Sequence, residues 1–214
     1  MKPFLLFDFD GTIADSIQLG WKIANLLAPK FGHKPFTMED FYRFRSLPVH
    51  TVLKELKIPF YKIPMAISKA LVEYRHLAQD LEPCQGIVPM LDTLKSEGFS
   101  LALLSSNTGE NLNMFLQRMQ IDAFDWVEGT SGILKKNHRI MQQLKKHSLD
   151  PKQVIYIGDE TRDIDAAHKC GLKIIAVTWG FHTADLLRSH NPEFLVDTPE
   201  QIVQIVRKQT FETV

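Results

Sequence analysis

The stretch Phe4-Leu5-Leu6-Phe7-Asp8-Phe9-Asp10-Gly11-Thr12 reads as a short strand running into a polar turn. Four apolar residues in succession, without polar alternation, indicate a strand covered on both faces, as in a parallel sheet. Two carboxylates follow at once. Open parallel sheets bind their ligands beyond the carboxyl ends of the strands, so Asp8 and Asp10 stand where a site is expected.

Working outward, the same pattern recurs. Residues 99–104 form a second apolar run, ending at Ser105-Ser106-Asn107, and Trp126-Val127 a short third. Residues 154–157 end at Gly158-Asp159, and residues 172–177 and 194–196 supply a fifth and a sixth strand. Helical segments lie between them. Residues 88–97 place Met90, Leu91 and Leu94 on one face and stop at Gly98. Ile140 and Leu144 stand four apart before Asp150-Pro151, and residues 163–169 carry Ile164, Ala166 and Ala167 before Gly171. Such alternation predicts an α/β fold, a Rossmann-like doubly wound parallel sheet.

Residues 16–82 break the alternation. They show only helical or loop patterns, as in residues 21–27, 52–56 and 67–74, punctuated by Pro59 and Pro64. The stretch is too long for an ordinary connection. It predicts an inserted α-helical cap domain, with 1–15 and 83–214 forming the α/β core.

The chain has 214 residues, with 25 Lys and Arg against 25 Asp and Glu, so bulk charge offers nothing to draw nucleic acid. No run of eighteen apolar residues occurs, which argues against a membrane partner. The opening apolar run is too short for a signal peptide, and a cytoplasmic protein is the default. Cys84 and Cys170 belong to no CxxC pair and predict two reduced thiols.

Asp8, Asp10, Ser105 and Asp159 all directly follow strand patterns. Three converging carboxylates would repel one another unless a cation neutralised them, and hard oxygen ligands suit Mg2+.

These residues resemble the motifs of the haloacid dehalogenase superfamily. Asp8-Phe9-Asp10-Gly11-Thr12 resembles the first, Ser105 with Ser106-Asn107 the second, and the lysine in Leu134-Lys135-Lys136-Asn137-His138 the third. Gly158-Asp159-Glu160-Thr161-Arg162-Asp163 resembles the last, and the order holds over the whole chain. The helical insert matches the small cap of phosphoglycolate phosphatase-like members. The resemblance implies that Asp8 attacks phosphorus and forms an aspartyl-phosphate. Asp10 would protonate the leaving oxygen and later activate water. Mg2+ would be held by the Asp8 carboxylate, the Asp10 backbone carbonyl and the Asp159 carboxylate. Ser105 and Ser106 would meet the phosphoryl group, and a lysine would offset its charge. Counting back from Asp150-Pro151 selects Lys136 for that task; counting forward selects Lys135. The expectation taken is Lys136, although the commoner Lys-Pro-x-Pro form is absent.

Other residues carry plainer readings beside the functional one. Asp163 could orient the lysine or a metal-bound water, or cap the helix that follows. Glu160 is expected outside the metal's direct ligands, Thr12 as a tie for the loop after Asp8, and Asp15-Ser16 as a hinge or helix start. The eight histidines show no ligand spacing. Trp179-Gly180-Phe181-His182 is expected to serve core and loop more than the site. Arg43 or Arg45 could meet a substrate carboxylate or second phosphate; an exposed arginine on a cap helix is the plainer reading.

Within the superfamily an acid/base carboxylate at Asp10 argues for phosphate esters and against carbon–halogen cleavage, since halide leaves without a proton. The expected partner is a small phosphorylated metabolite, phosphoglycolate-like or a sugar phosphate. The alternatives are a phosphomutase of the β-phosphoglucomutase kind and a catalytically silent binding protein of the same fold.

Overall fold

The computed structural model describes residues 2–129 and 136–209. The apolar runs form one parallel six-stranded sheet. Its strands are β1 (Phe4–Phe7), β2 (Ser100–Ser105), β3 (Trp126–Gly129), β4 (Val154–Gly158), β5 (Lys173–Val177) and β6 (Phe194–Val196). Their order is β3-β2-β1-β4-β5-β6, that of a Rossmann-like sheet. The expected fold class stands.

Between β1 and β2 lie the four helices of the cap, α1 (Ile17–Leu27), α2 (Met38–Arg45), α3 (Val49–Glu55) and α4 (Ile63–Leu77). Pro64, read from sequence as punctuation, opens α4 from within its first turn, where a missing N–H costs nothing. Thr37 starts α2 through a capping box with Asp40. Trp21 from α1 packs at 5.0 Å on Phe41 and 5.9 Å on Phe36, joining α1 to α2. The chain enters and leaves this region along one path: Ala14 bridges Pro83, Asp15 N–H donates to Glu82 O (2.9 Å), and Cys84 N–H to Ile13 O (2.8 Å).

The remaining helices flank the sheet. Side chains alternate along each strand, so Leu5, Phe7, Leu101, Leu103, Ile155 and Ile157 feed one core with α5 (Ile87–Ser96) and α6 (Gly109–Arg118). Leu6, Ala102, Leu104 and Tyr156 feed the other, against α7 (Lys136–Lys146), α8 (Thr161–Lys169) and α9 (Ala184–Ser189). The last helix, α10 (Pro199–Lys208), returns Ile202, Val203 and Val206 to the first core. Burial on both faces explains the uninterrupted Val/Ile/Leu runs.

The two cysteines are free, Cys170 buried and Cys84 half-buried. Among the described residues no helix is long and apolar enough to cross a membrane.

Candidate active site

The strand order reverses between β1 and its neighbours, and the polar residues gather at that point. Asp8 directly follows β1, Asp159 directly follows β4, and Ser105 ends β2; all three are buried. One carboxylate oxygen from each of Asp8, Asp159 and Asp163 lies within 4.8 Å of the others. Lys136, at the start of α7, donates to Asp8 Oδ2 at 2.7 Å and also to Asp163 Oδ1. Lys135 lies outside the described residues.

Asp163 holds both roles read for it, with a correction to the second. Helix α8 is capped at Glu160, and Asp163 is the third helical residue, whose Oδ2 accepts the Glu160 N–H at 3.0 Å. Its other oxygen takes Lys136. Glu160 turns toward Arg162, at 2.7 Å.

The carboxylate of Asp10 points elsewhere. Oδ1 accepts from the Tyr74 hydroxyl of α4 at 2.9 Å, and Oδ2 from Asn107 Nδ2 at 3.4 Å. Asp8 and Asp10, two residues apart, thus face different environments: one a lysine and an acidic cluster, the other neutral donors. Asn107 also donates its N–H to Ser105 Oγ at 3.0 Å.

Asp159 is fixed from three sides. Thr12 Oγ1 donates to Oδ1 at 2.9 Å, so the expected loop tie acts on this carboxylate. Phe181 N–H donates to Oδ2 at 2.7 Å. Gly11, at φ +74, and Gly180 both approach so closely that a Cβ on either would overlap the Asp159 side chain. The loop of residues 179–182 therefore borders the site, contrary to the core-and-loop expectation. Trp179 Nε1 donates to Thr12 O at 3.2 Å. His182, fully buried, accepts the Thr161 N–H at Nδ1 (2.9 Å) and is held neutral, burial lowering its pKa. No histidine spacing in the sequence marks it.

The cap reaches this same loop. Arg45 Nε donates to Phe181 O at 2.8 Å and Nη2 to Gly180 O at 3.0 Å. Arg43 pairs with Glu55 at 2.7 Å and with Asp40 at 3.3 Å, exposed. Neither arginine lines the cavity between cap and core; Arg43 matches the plainer reading of an exposed cap arginine, and Arg45 ties the cap to the loop of residues 179–182.

Electrostatics set the chemistry. Burial raises the Asp8 carboxyl, with Asp163 adding to it and Lys136 pulling against it. Burial, then Glu160, Asp163 and Asp8, raise Asp159 well above the usual carboxylate range. Burial works against charge on Lys136, but Asp163 and Asp8 outweigh it and hold the ammonium protonated. Lys136, with an Arg162 that Glu160 already pairs, does not offset three buried carboxylates, so the donor set fits a divalent cation: hard oxygens, buried and converging.

Buried carboxylates thus stand beside Lys136 at the carboxyl ends of β1 and β4, the switch point of the sheet. Residues 5–177 match the haloacid dehalogenase-like hydrolase family, and the chain belongs to it. It is a phosphatase of that family. A phosphoglycolate phosphatase from Synechococcus elongatus is 32% identical over 203 residues, 94% of this chain and 96% of that protein. A phosphoglycolate phosphatase from Aquifex aeolicus is 27% identical over 97% of this chain and 98% of its own. Among solved structures, a predicted phosphatase from Clostridium acetobutylicum superposes with a TM-score of 0.85 at 22% identity, covering 98% of this chain and all of that one. At that identity the likeness speaks for the fold.

Proposed function

We propose that the chain is a cytoplasmic, Mg2+-dependent phosphatase that hydrolyses a small phosphomonoester through an aspartyl-phosphate on Asp8. The observation that carries this reading is the division of labour between Asp8, against Lys136, and Asp10, against Tyr74 and Asn107. An Asp8 carboxylate oxygen attacks phosphorus as the ester P–O bond breaks. Asp10 gives its proton to the departing alkoxide. Water then attacks phosphorus, Asp10 takes its proton, and the bond to Asp8 breaks to release phosphate. Lys136 offsets charge shared by Asp8 and the phosphoryl oxygens, and Ser105 and Ser106 hold that group. Mg2+ would sit on the carboxylates of Asp8 and Asp159 and the backbone carbonyl of Asp10, and it supplies charge neutralisation at the phosphoryl oxygens. Asp163 acts through Lys136.

The reading includes a cap of residues 16–82, hinged where residues 14–15 run beside 82–83. A hinge built from one short double crossing suits a lid that excludes water during phosphoryl transfer.

Chelation is the direct test. EDTA is expected to abolish phosphate release from an aryl phosphate, and added Mg2+ to restore it. Metal-independent release would overturn the metal role. Transfer between positions of a sugar phosphate without net release would identify a mutase.

Burial raises the Asp10 carboxyl above its usual range, with Asp8 adding to it, while Ser16, Tyr74 and Asn107 pull it down. A raised pKa suits a group that must carry a proton near neutrality. The Tyr74 hydroxyl favours the ionised form, so Tyr74→Phe should raise Asp10 further. The alkaline limb of kcat/KM, where the acid loses its proton, is expected to move up by about one pH unit. An unmoved or lowered limb would remove Tyr74 from this role.

A further inference from the structure

The cavity between cap and core, of about 650 Å³, opens at one end on Asp10, Ser106, Asn107 and Asp159. Its volume suits a ligand much larger than a phosphate ion. The far wall is aliphatic. Ile17 and Ala24 of α1, Leu53 of α3 and Ile63, Ile67 and Leu71 of α4 all line it, each half-buried. Among the described residues, no lysine or arginine comes to the lining from the cap.

The two walls do not complement one another. An aliphatic surface closing on aspartates and amides would strip water from polar groups without pairing them. What satisfies both is a molecule with an anionic head and an apolar body. Among the described lining residues a carboxylate or second phosphate beside the head would find only Arg162, His50 and His190. Arg162, the one arginine among the described lining residues, has Nη2 on Glu160 at 2.7 Å and its Nε buried away from the cavity's open space. His190 Nδ1 stands 3.0 Å from Asp165, and His50 is exposed at the rim.

Resting on the phosphatase reading above, we infer that the cap selects phosphomonoesters of apolar alcohols, with the alkyl or aryl body against α1, α3 and α4. Phosphoglycolate and sugar phosphates, polar over their whole length, leave that wall wet.

The experiment compares kcat/KM for n-alkyl phosphates from ethyl to decyl, beside 2-phosphoglycolate and glucose 6-phosphate. Specificity is expected to rise about fourfold per added methylene until the cavity is filled. Gly20, in α1, lines the cavity, and a Cβ there meets nothing within 4 Å. Gly20→Leu should therefore lower the ratio of long-chain to short-chain specificity, and Leu71→Asn should do so from the opposite helix. A flat or falling chain-length series, or preference for 2-phosphoglycolate over an alkyl phosphate of equal size, would overturn the inference. Binding of ethyl- and octylphosphonate by calorimetry separates it from the parent reading. Tighter octylphosphonate binding without turnover of any ester supports the apolar site while the phosphatase reading fails. Equal binding overturns the apolar site whatever turns over.

Discussion

Asp8→Asn is expected to reduce phosphate release by roughly 10⁴-fold or more, the scale of losing a covalent nucleophile. The substitution keeps the shape of a buried side chain and removes its nucleophilic charge. The fold should survive. Lys136 keeps Asp163 as a partner, and the repulsion among three buried carboxylates falls by one member. A rapid-quench measurement with phosphorus-labelled substrate should show acid-precipitable label on the wild-type chain, lost on treatment with hydroxylamine, and none on the variant. A variant retaining more than about a tenth of the wild-type rate would leave the attack to water or another group.

Lys136→Met is expected to have the second largest effect, and it acts on stability as well as rate. The ammonium bridges Asp8 and Asp163, and only 12% of its side chain is exposed. Without it, two buried carboxylates lose their shared counter-charge, and breaking a buried pair in this way costs about 3–5 kcal/mol. The rate should fall by about 10²–10³, as when one fixed electrostatic partner of a transition state is lost. Urea denaturation and steady-state turnover read the two effects separately. Lys135→Met is the control, expected to stay within about 0.5 kcal/mol and near the wild-type rate. Reversed outcomes would assign the role to Lys135.

The sheet and the place of the candidate site were legible because they share one cause. Strands buried on both faces must be continuously apolar, so the first polar residue after each run marks the carboxyl edge; Asp8, Ser105 and Asp159 are all found there. Groups that act through the backbone or across domains leave no such mark. Phe181 holds Asp159 with its N–H, which any residue but proline carries. Tyr74 sits on an amphipathic helix like any core aromatic, and only the packing of α4 over the site brings its hydroxyl to Asp10. For Arg45 the sequence offered an exposed cap arginine or an anion ligand, and neither foresees a guanidinium that meets two backbone carbonyls across domains. Asp163 shows the limit of assigning one role per residue, since its two oxygens serve a helix start and a lysine at once.

The central position of β1 has a consequence for how this molecule comes into being. Phe4 pairs with Ser100 on one side and Val154 on the other, so β1 is hydrogen-bonded only to strands made much later. Lys136 lies 128 residues beyond Asp8, and Asp159 lies 147 beyond Thr12. At about 5–20 residues per second, a nascent chain waits roughly seven to thirty seconds between Thr12 and Asp159. Through that interval β1 is an apolar segment with two open edges, the kind of species that chaperones shield. No partial chain lacking β4 holds Asp8, Lys136 and Asp159 together. Docking of β4 onto β1 is thus the event at which a folding intermediate becomes an enzyme, and regain of activity after dilution from denaturant should lag behind formation of the helices.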